Sequence, residues 1–458
     1  MNQDTIAAIA TAMSSAGIGI IRISGPEAFS IAEKVFRPKK EGKKLSQEPA
    51  YTIHYGTIWD GEEMLDEVLV LLMRGPHSYT AEDTVEIDCH GGVLVIRRIL
   101  EAVIGQGARP AEPGEFTKRA FLNGRLDLSQ AEAVMDLIEA KNEMALKSSV
   151  SQLRGSVQRK IREIRDVILY EMAFIESALD DPEHISLDGY PERLEEIVQK
   201  LLEEVKKLLL SSDNGRILKE GIKTVIVGKP NAGKSSLLNA LVGEERAIVT
   251  EIAGTTRDVL EEHIQLNGVH LNILDTAGIR ATEDIVEKIG VTKAMEHMED
   301  ADLILYVVDA SVPLTREDET IIQRLSGKKA VVLLNKTDLQ RVVSKEEMQQ
   351  RLQQPVILIS AKEEQGIEEL EAAVGNLFFQ GQLSFNDEIY ITNLRQKTNL
   401  EEAKGSLQMV LESITNQMPE DFFSIDLMNA YVALGSILGE EVEEDLVNEI
   451  FGKFCMGK

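Results

Sequence analysis

The chain has 458 residues, with 49 Lys and Arg against 77 Asp and Glu, for a formal net charge of -28 and a pI near 4.8. That excess disfavours free-standing electrostatic binding to nucleic acid, where cationic side chains make the phosphate contacts. The length predicts about three domains at roughly 150 residues each, and two cysteines far apart in sequence, Cys89 and Cys455, argue against a disulfide framework or a Cys-based zinc cluster.

No segment reaches the roughly 20 apolar residues of a membrane span. The first 17 residues carry Asp4 and neither Lys nor Arg, unlike a secretory signal. A soluble, cytoplasmic protein with no membrane partner is expected. Residues 1–120 hold short apolar runs at 18–23, 52–59, 65–73 and 84–89, separated by Gly, Pro, Asp and Ser clusters that read as strands and turns. A helix over 91–104 completes a compact α+β domain.

From Ser129 the pattern turns helical. Ser129-Gln130-Ala131-Glu132 matches a capping box, and apolar residues from Val134 to Ile168 keep a three-and-four spacing with no Pro before Pro182. An unbroken helix of roughly 50 residues would span on the order of 75 Å. Pro191 suits the first turn of a further helix over 192–210, and helical spacing returns from 393. The expected organisation is an α+β domain at 1–120, helical pieces at 121–220 and 381–458, and an inserted domain at 221–380. Each of these four segments is net acidic.

The inserted segment begins with a β-branched run at 223–227, followed by Gly228-Lys229-Pro230-Asn231-Ala232-Gly233-Lys234-Ser235, a complete phosphate-loop pattern between a strand and a helix expected from Ser236 onward. Glycines let backbone amides turn toward phosphates at a helix N-terminus. Lys234 is expected to reach the β- and γ-phosphates, and Ser235 to ligate Mg²⁺. A strand over 269–274 leads into Asp275-Thr276-Ala277-Gly278, the place of a carboxylate behind the Mg²⁺ and of a glycine that senses the γ-phosphate. Further buried-strand runs at 303–308 and 330–334 precede Asn335-Lys336-Thr337-Asp338, and a run at 356–359 precedes Ser360-Ala361-Lys362. The Asp338 carboxylate can accept from guanine N1–H and the exocyclic amine together, whereas adenine offers neither there. GTP is therefore expected over ATP, bound by a doubly wound domain.

Gly254-Thr255-Thr256-Arg257-Asp258 supplies Thr256, whose hydroxyl can complete a Mg²⁺ shell. Ile279 follows the Asp-x-x-Gly element where Ras-type enzymes carry a Gln, and it cannot orient water. The acids beyond it, Glu283, Asp284 and Glu287, read from the residues alone as solvated loop charges before they read as catalytic groups.

These motifs, together with Gly19-Ile20-Ile21-Arg22-Ile23-Ser24-Gly25, Pro113-Gly114-Glu115-Phe116-Thr117, Arg119-Ala120-Phe121-Leu122-Asn123-Gly124 and a terminal Phe454-Cys455-Met456-Gly457-Lys458, resemble the TrmE family of tRNA uridine-modification GTPases, within the TrmE-Era-EngA-YihA-Septin-like group. The resemblance covers essentially the whole chain. It implies a G domain activated by K⁺-dependent dimerisation, with K⁺ held by Asn231, the carbonyls of Thr250 and Ile252, and Thr255, and GTP also contacted by Ala232, Gly233, Ser236, Glu251, Ala253 and Gly254. It implies that Glu287 orients water through an intermediary. It also makes 1–120 a dimerising domain that binds 5-formyl- or 5,10-methylene-tetrahydrofolate through Arg22, Glu86, Arg125 and Lys458.

The implied protein is a homodimer that joins an FAD-containing partner of the MnmG type in a heterotetramer. With it, the protein modifies C5 of the wobble uridine of certain tRNAs. Cys455 then reads as a nucleophile or as an incidental residue near the chain end, and Cys89 as buried structure. His90 reads as a turn histidine. Arg154, Arg159, Lys160, Arg162 and Arg165 read as a tRNA contact or as a solvated helix face. The alternative function is that of a ribosome-assembly type GTPase whose flanking domains serve only for docking.

Overall fold

The computed structural model describes residues 4–40, 42–242, 262–266, 269–274, 297–379, 391–440, 444–455 and 457. Its contacts divide the chain into two units, 1–135 with 152–198 and 402–458, and 136–151 with 199–401.

In the first unit a seven-stranded sheet is built from β1 (Ile6–Ile9), β2 (Ile18–Ser24), β3 (Phe36–Pro38), β4 (Thr52–Asp60), β5 (Glu63–Met73), β6 (Thr84–His90) and β7 (Arg109–Pro110), in the order β3-β4-β5-β6-β2-β1-β7. Pairing is antiparallel except between β1 and β7. Strand alternation sends Ile21, Ile23, Val68, Val70, Val85, Ile87 and Cys89 into one core with α1 (Ala28–Val35) and α2 (Val93–Gly105). The opposite face carries Arg22, Glu86, Asp88, Leu71 and the exposed Ile53, Tyr55 and Leu69. Among these, Arg22 stands opposite Glu86, and Leu69 opposite both Tyr55 and Asp88. β1 and α1 were not expected from sequence.

α3 (Glu115–Leu122) follows, then α4 (Leu128–Glu139), α5 (Glu143–Leu153), α6 (Ser156–Asp180) and α7 (Tyr190–Glu220). The single long helix expected from Ser129 is thus three helices. Asn142 starts the second by accepting the Ala145 amide at 2.7 Å, and Gly155 stands at φ 80 before the third, a backbone conformation open to glycine. The Ser129 capping box is also corrected. Asp127 Oδ1 accepts the Gln130 amide at 3.0 Å while Gln130 Oε1 accepts the Asp127 amide at 3.1 Å, so the reciprocal cap lies two residues earlier. The helix expected over 192–210 runs on to Glu220, with Pro191 in its first turn as predicted.

The C-terminal helices, α12 (Leu394–Thr415), α13 (Glu420–Leu438) and α14 (Glu444–Gly452), are numbered after the helices of the second unit described below. α13 packs on α6. Arg165, expected among the solvated or tRNA-contacting cations, is buried there. Its guanidinium pairs with Glu440 at 2.6 Å and lies 4.0 Å from the Tyr431 ring centre. Arg154, Arg159 and Arg162 are exposed. Among the described residues α13 alone has the length and composition to cross a membrane, and half of its apolar window is buried. The chain end folds back on α3 and α4, with Phe451 and Phe454 buried among Phe121, Leu128 and Ala131.

The second unit holds a six-stranded sheet of β8 (Ile222–Val227), β9 (Glu262–Leu266), β10 (Val269–Ile273), β11 (Leu303–Asp309), β12 (Ala330–Asn335) and β13 (Val356–Leu358), in the order β13-β12-β11-β8-β10-β9. It is parallel apart from the β9–β10 pair. Every residue of β11 and β12 is buried, as expected of parallel strands covered on both faces. Apolar clusters line both faces of the sheet, with α8 (Lys234–Val242), α9 (Arg316–Arg324), α10 (Lys345–Arg351) and α11 (Ile367–Phe379) contributing. The fold class is therefore the expected one: a mixed α/β chain with a doubly wound G domain. β8 sits where the strand order reverses, so the loop after it opens at the crevice where such sheets bind ligands.

Candidate functional site

The nucleotide site forms around the loop between β8 and α8. Gly228 passes so close to the Val307 carbonyl of β11 that any Cβ would collide with it. Asn231 holds φ 62 and Gly233 φ 99, left-handed conformations that turn successive amides to one side. α8 begins at Lys234, two residues before the expected start. The Lys234 ammonium is buried and donates to the carbonyls of Gly228 and Lys229 at 3.0 and 2.9 Å. Ser235 and Ser236 are exposed in the first helical turn.

The base-side loops join this one through Asn335. Its Nδ2 donates to the Ala232 carbonyl at 2.9 Å and its Oδ1 accepts the Ala361 amide at 3.0 Å. One buried amide thus spans three loops. Lys336, at φ 66, pairs with Asp309 at the end of β11 at 2.6 Å. Burial pulls the Asp309 carboxyl upward, but the bond from Lys336 holds it below the usual carboxylate range. The exposed Asp338 accepts the Ser360 hydroxyl at 2.9 Å, and the Thr337 amide donates to the Ile359 carbonyl at 3.2 Å. Lys362 is exposed beside them. An exposed carboxylate held from one side is suited to a base that offers two adjacent donors.

Ser235 brings a hydroxyl oxygen to the loop, a hard donor that fits Mg²⁺. The Asn231 side chain brings an amide oxygen that fits K⁺. The other expected ligands and contacts, Thr250, Glu251, Ile252, Ala253, Gly254, Thr255, Thr256, Asp275, Thr276, Ala277 and Gly278, together with Glu287 and the neighbouring acids Glu283 and Asp284, lie outside the described residues.

A second constellation lies on the outward face of the first unit's sheet. Arg22 Nε donates to Glu86 Oε1 at 2.7 Å, and its Nη1 donates to the Gly457 carbonyl at 3.1 Å across 435 positions of sequence. The Arg22 guanidinium lies 5.5 Å from the ring centre of Tyr79 and 5.6 Å from that of Phe116, and Arg125 lies 4.9 Å from the same Tyr79 ring. Two of the four expected folate contacts, Arg22 and Arg125, therefore lie against one tyrosine, and a third, Glu86, joins them through its bond with Arg22; the Tyr79 hydroxyl is 2.9 Å from Thr117 Oγ1. The fourth, Lys458, lies outside the described residues, although its neighbour Gly457 is in the cluster. Tyr79 and Phe116 were not singled out from sequence. The local signal was an aromatic beside a turn and another inside a motif, and neither points to a partner. The donor set fits a pterin: a carboxylate for its amine edge, the part-exposed Tyr79 for the ring, and guanidinium groups for acidic or carbonyl oxygens.

Cys455 is exposed, two residues before Gly457, with its carbonyl accepting the Gly114 amide at 3.3 Å. Cys89 is buried and donates to the Gly19 carbonyl, and burial pushes its thiol up to about 12. His90, expected in a turn, is instead the last residue of β6, opposite Ile18; it is exposed and bonds Asp66 at 2.7 Å through Nδ1.

A family model described as the MnmE helical domain matches residues 128–455, and one described as the GTP-binding protein TrmE N-terminus matches residues 5–125. The chain is 58% identical over 458 residues to a tRNA modification GTPase MnmE of Lachnoclostridium phytofermentans, covering 100% of both chains. It is 50% identical over 463 residues to one of Alkaliphilus metalliredigens and 48% identical over 461 residues to one of Clostridioides difficile, each time covering 100% of this chain and 99% of the relative. Among solved structures, the G domain of the T. maritima FeoB iron transporter matches at 28% identity with a TM-score of 0.26, over 34% of this chain and 98% of that one. Aquifex aeolicus Era bound to GDP and aluminium fluoride matches at 28% identity and a TM-score of 0.27, over 41% and 67%.

Proposed function

The chain belongs to the MnmE family of tRNA modification GTPases, and from that membership we propose the chemistry it performs. The protein hydrolyses GTP with Mg²⁺. Together with an FAD-containing partner of the MnmG type it adds an aminomethyl or carboxymethylaminomethyl group at C5 of wobble uridine 34, using a one-carbon unit from 5-formyl- or 5,10-methylene-tetrahydrofolate. The carrying observation is a cluster in which Arg22 binds Glu86 and the Gly457 carbonyl while it and Arg125 lie against the Tyr79 ring. A protein that used its flanks only for docking would have no need of this donor set on the sheet face.

In this reading Lys234 meets the β- and γ-phosphates, the loop amides of 231–236 wrap them, and Asp338 with Ser360, Ala361 and Lys362 selects guanine. Ser235 and Thr256 would hold Mg²⁺, with Asp275 behind them, and Asn231, Thr250, Ile252 and Thr255 would hold K⁺. Two cations held there would supply positive charge beside the transferring phosphoryl group. Thr276, Ala277 and Gly278 follow the γ-phosphate, and Glu287 orients the attacking water through an intermediary. Glu287→Ala is expected to bind GTP like the wild type and lose hydrolysis, and replacing K⁺ by Na⁺ to slow the wild type strongly. Phosphate release and nucleotide titration in both salts check this, and wild-type turnover by Glu287→Ala removes that residue from the mechanism.

The four-part division at 120, 220 and 380 belongs to the same proposal, as do homodimerisation, assembly with the partner into a heterotetramer, and a cytoplasmic location. Exposed Ile53, Tyr55 and Leu69 on the outward sheet face support a second copy of the chain as the occupant of that surface. With a net charge of -28, the more basic partner supplies most tRNA phosphate contacts. The deciding experiment is mass spectrometry of wobble nucleosides from cells lacking the protein, with and without the wild-type chain restored. Loss of the modified uridine with recovery on complementation is expected. An unchanged profile together with ribosome association would favour the assembly-type alternative.

A further inference from the structure

The phosphate-loop pattern assigns nothing to its second residue, Lys229. Its side chain is nonetheless nearly buried, with the ammonium 3.3 Å from Oδ2 of the fully buried Asp318. Asp318 also accepts the amide and the hydroxyl of Thr315, each at 2.8 Å, and the Tyr306 hydroxyl at 3.0 Å. It thereby caps α9 and fastens that helix to β11. Burial alone would raise the Asp318 carboxyl, but the bonds from Thr315 and the charge on Lys229 hold it below the usual carboxylate range, so Asp318 stands as a carboxylate at neutral pH. The main chain of Lys229 meets a different group. Its carbonyl, with that of Gly228, accepts the Lys234 ammonium at 2.9 and 3.0 Å. One residue links the loop's second ammonium to a carboxylate anchored in the core.

We propose that Lys229 is a positioning residue for GTP hydrolysis: anchored on Asp318, it fixes the carbonyls that set where the Lys234 ammonium meets the phosphates. The proposal rests on the reading of Lys234 as the phosphate lysine. A loop containing left-handed Asn231 and Gly233 has many conformations open to it, and charge stabilisation of a transition state depends on groups already held in place. A displacement of about 1 Å can cost on the order of a hundredfold in rate.

The test uses the full chain with its cations. Lys229→Met keeps the aliphatic volume and leaves Asp318 its bonds from Thr315 and Tyr306, so α9 stays capped. It is expected to lower kcat by about ten- to a hundredfold while KM for GTP moves less than about threefold, in assays kept well below a thermal midpoint that drops because the buried carboxylate loses its cation. Lys229→Arg, whose guanidinium also reaches a carboxylate, is expected to recover most of the rate. Asp318→Asn combined with Lys229→Met is expected to cost no more than the worse single variant, because both cut the same link. Wild-type kcat in Lys229→Met overturns the proposal, as does a loss that Arg does not recover and that follows the thermal midpoint. Lys234→Ala serves as the control for the underlying reading. If it binds GTP normally, the phosphate assignment itself falls; if it loses GTP while Lys229→Met turns over normally, only the role of Lys229 falls.

Discussion

Asp338→Asn is expected to reverse the base preference of the enzyme, losing at least about a hundredfold in kcat/KM for GTP while hydrolysing XTP better than GTP. The Ser360 hydroxyl donates to Asp338 Oδ1 at 2.9 Å. In the variant the amide keeps that bond by turning its oxygen toward Ser360, which leaves its NH₂ where the second carboxylate oxygen was. Guanine presents an amine there, so donor would face donor. Xanthine presents a carbonyl oxygen at the same carbon, so donor would meet acceptor. Sites built on hydrogen bonds to a base or hydroxyl discriminate by up to about 10⁴-fold, because the mismatched group is left buried and unpaired. The scaffold need not change, since Asn335 independently ties Ala232 to Ala361. Phosphate release with both nucleotides measures the outcome. A variant that still prefers GTP would show that Asp338 does not read the base.

The G domain is legible in the sequence because its chemistry is contiguous. Gly228 to Ser235, Asn335 to Asp338 and Ser360 to Lys362 each carry their ligands within a few residues, and the all-buried strands β11 and β12 stand out as continuous apolar runs. Helix breaks were harder to see. Between α4 and α5, and again before α6, the apolar spacing continues through Asn142 and Gly155 without a proline, and what stops the first helix is partly tertiary. The Asn142 side chain caps α5 while its Nδ2 donates to the Leu218 carbonyl at 3.1 Å. Periodicity carries no trace of an acceptor 76 residues away. Tyr79 and Lys229 were missed for the same reason. One joins the cluster only when Arg22 and Arg125 fold onto its ring, and the other acquires a partner only when α9 brings Asp318 beneath the loop.

The two cysteines are expected to behave oppositely, and that contrast isolates the chain end as a reactive element. Only a thiolate attacks an electrophile. Burial drives the Cys89 thiol up to about 12, so at neutral pH only about one molecule in 10⁵ carries its thiolate. Cys455 is exposed, and the carbonyl of Gly457 two residues on is held by Arg22, which also binds Glu86. Iodoacetamide at neutral pH should therefore label the folded chain once, at Cys455, and reach Cys89 only after unfolding. If Cys455 is the nucleophile toward uridine or the one-carbon unit, Cys455→Ser should abolish wobble-uridine modification in complemented cells while GTP turnover stays at the wild-type rate. Cys89→Ser should leave modification intact, with only the stability change of a buried substitution. Peptide mapping after labelling and nucleoside mass spectrometry read the two halves separately. Full modification by Cys455→Ser would remove the thiol from the chemistry and leave the C-terminal segment a purely binding role through the Gly457 carbonyl and Arg22.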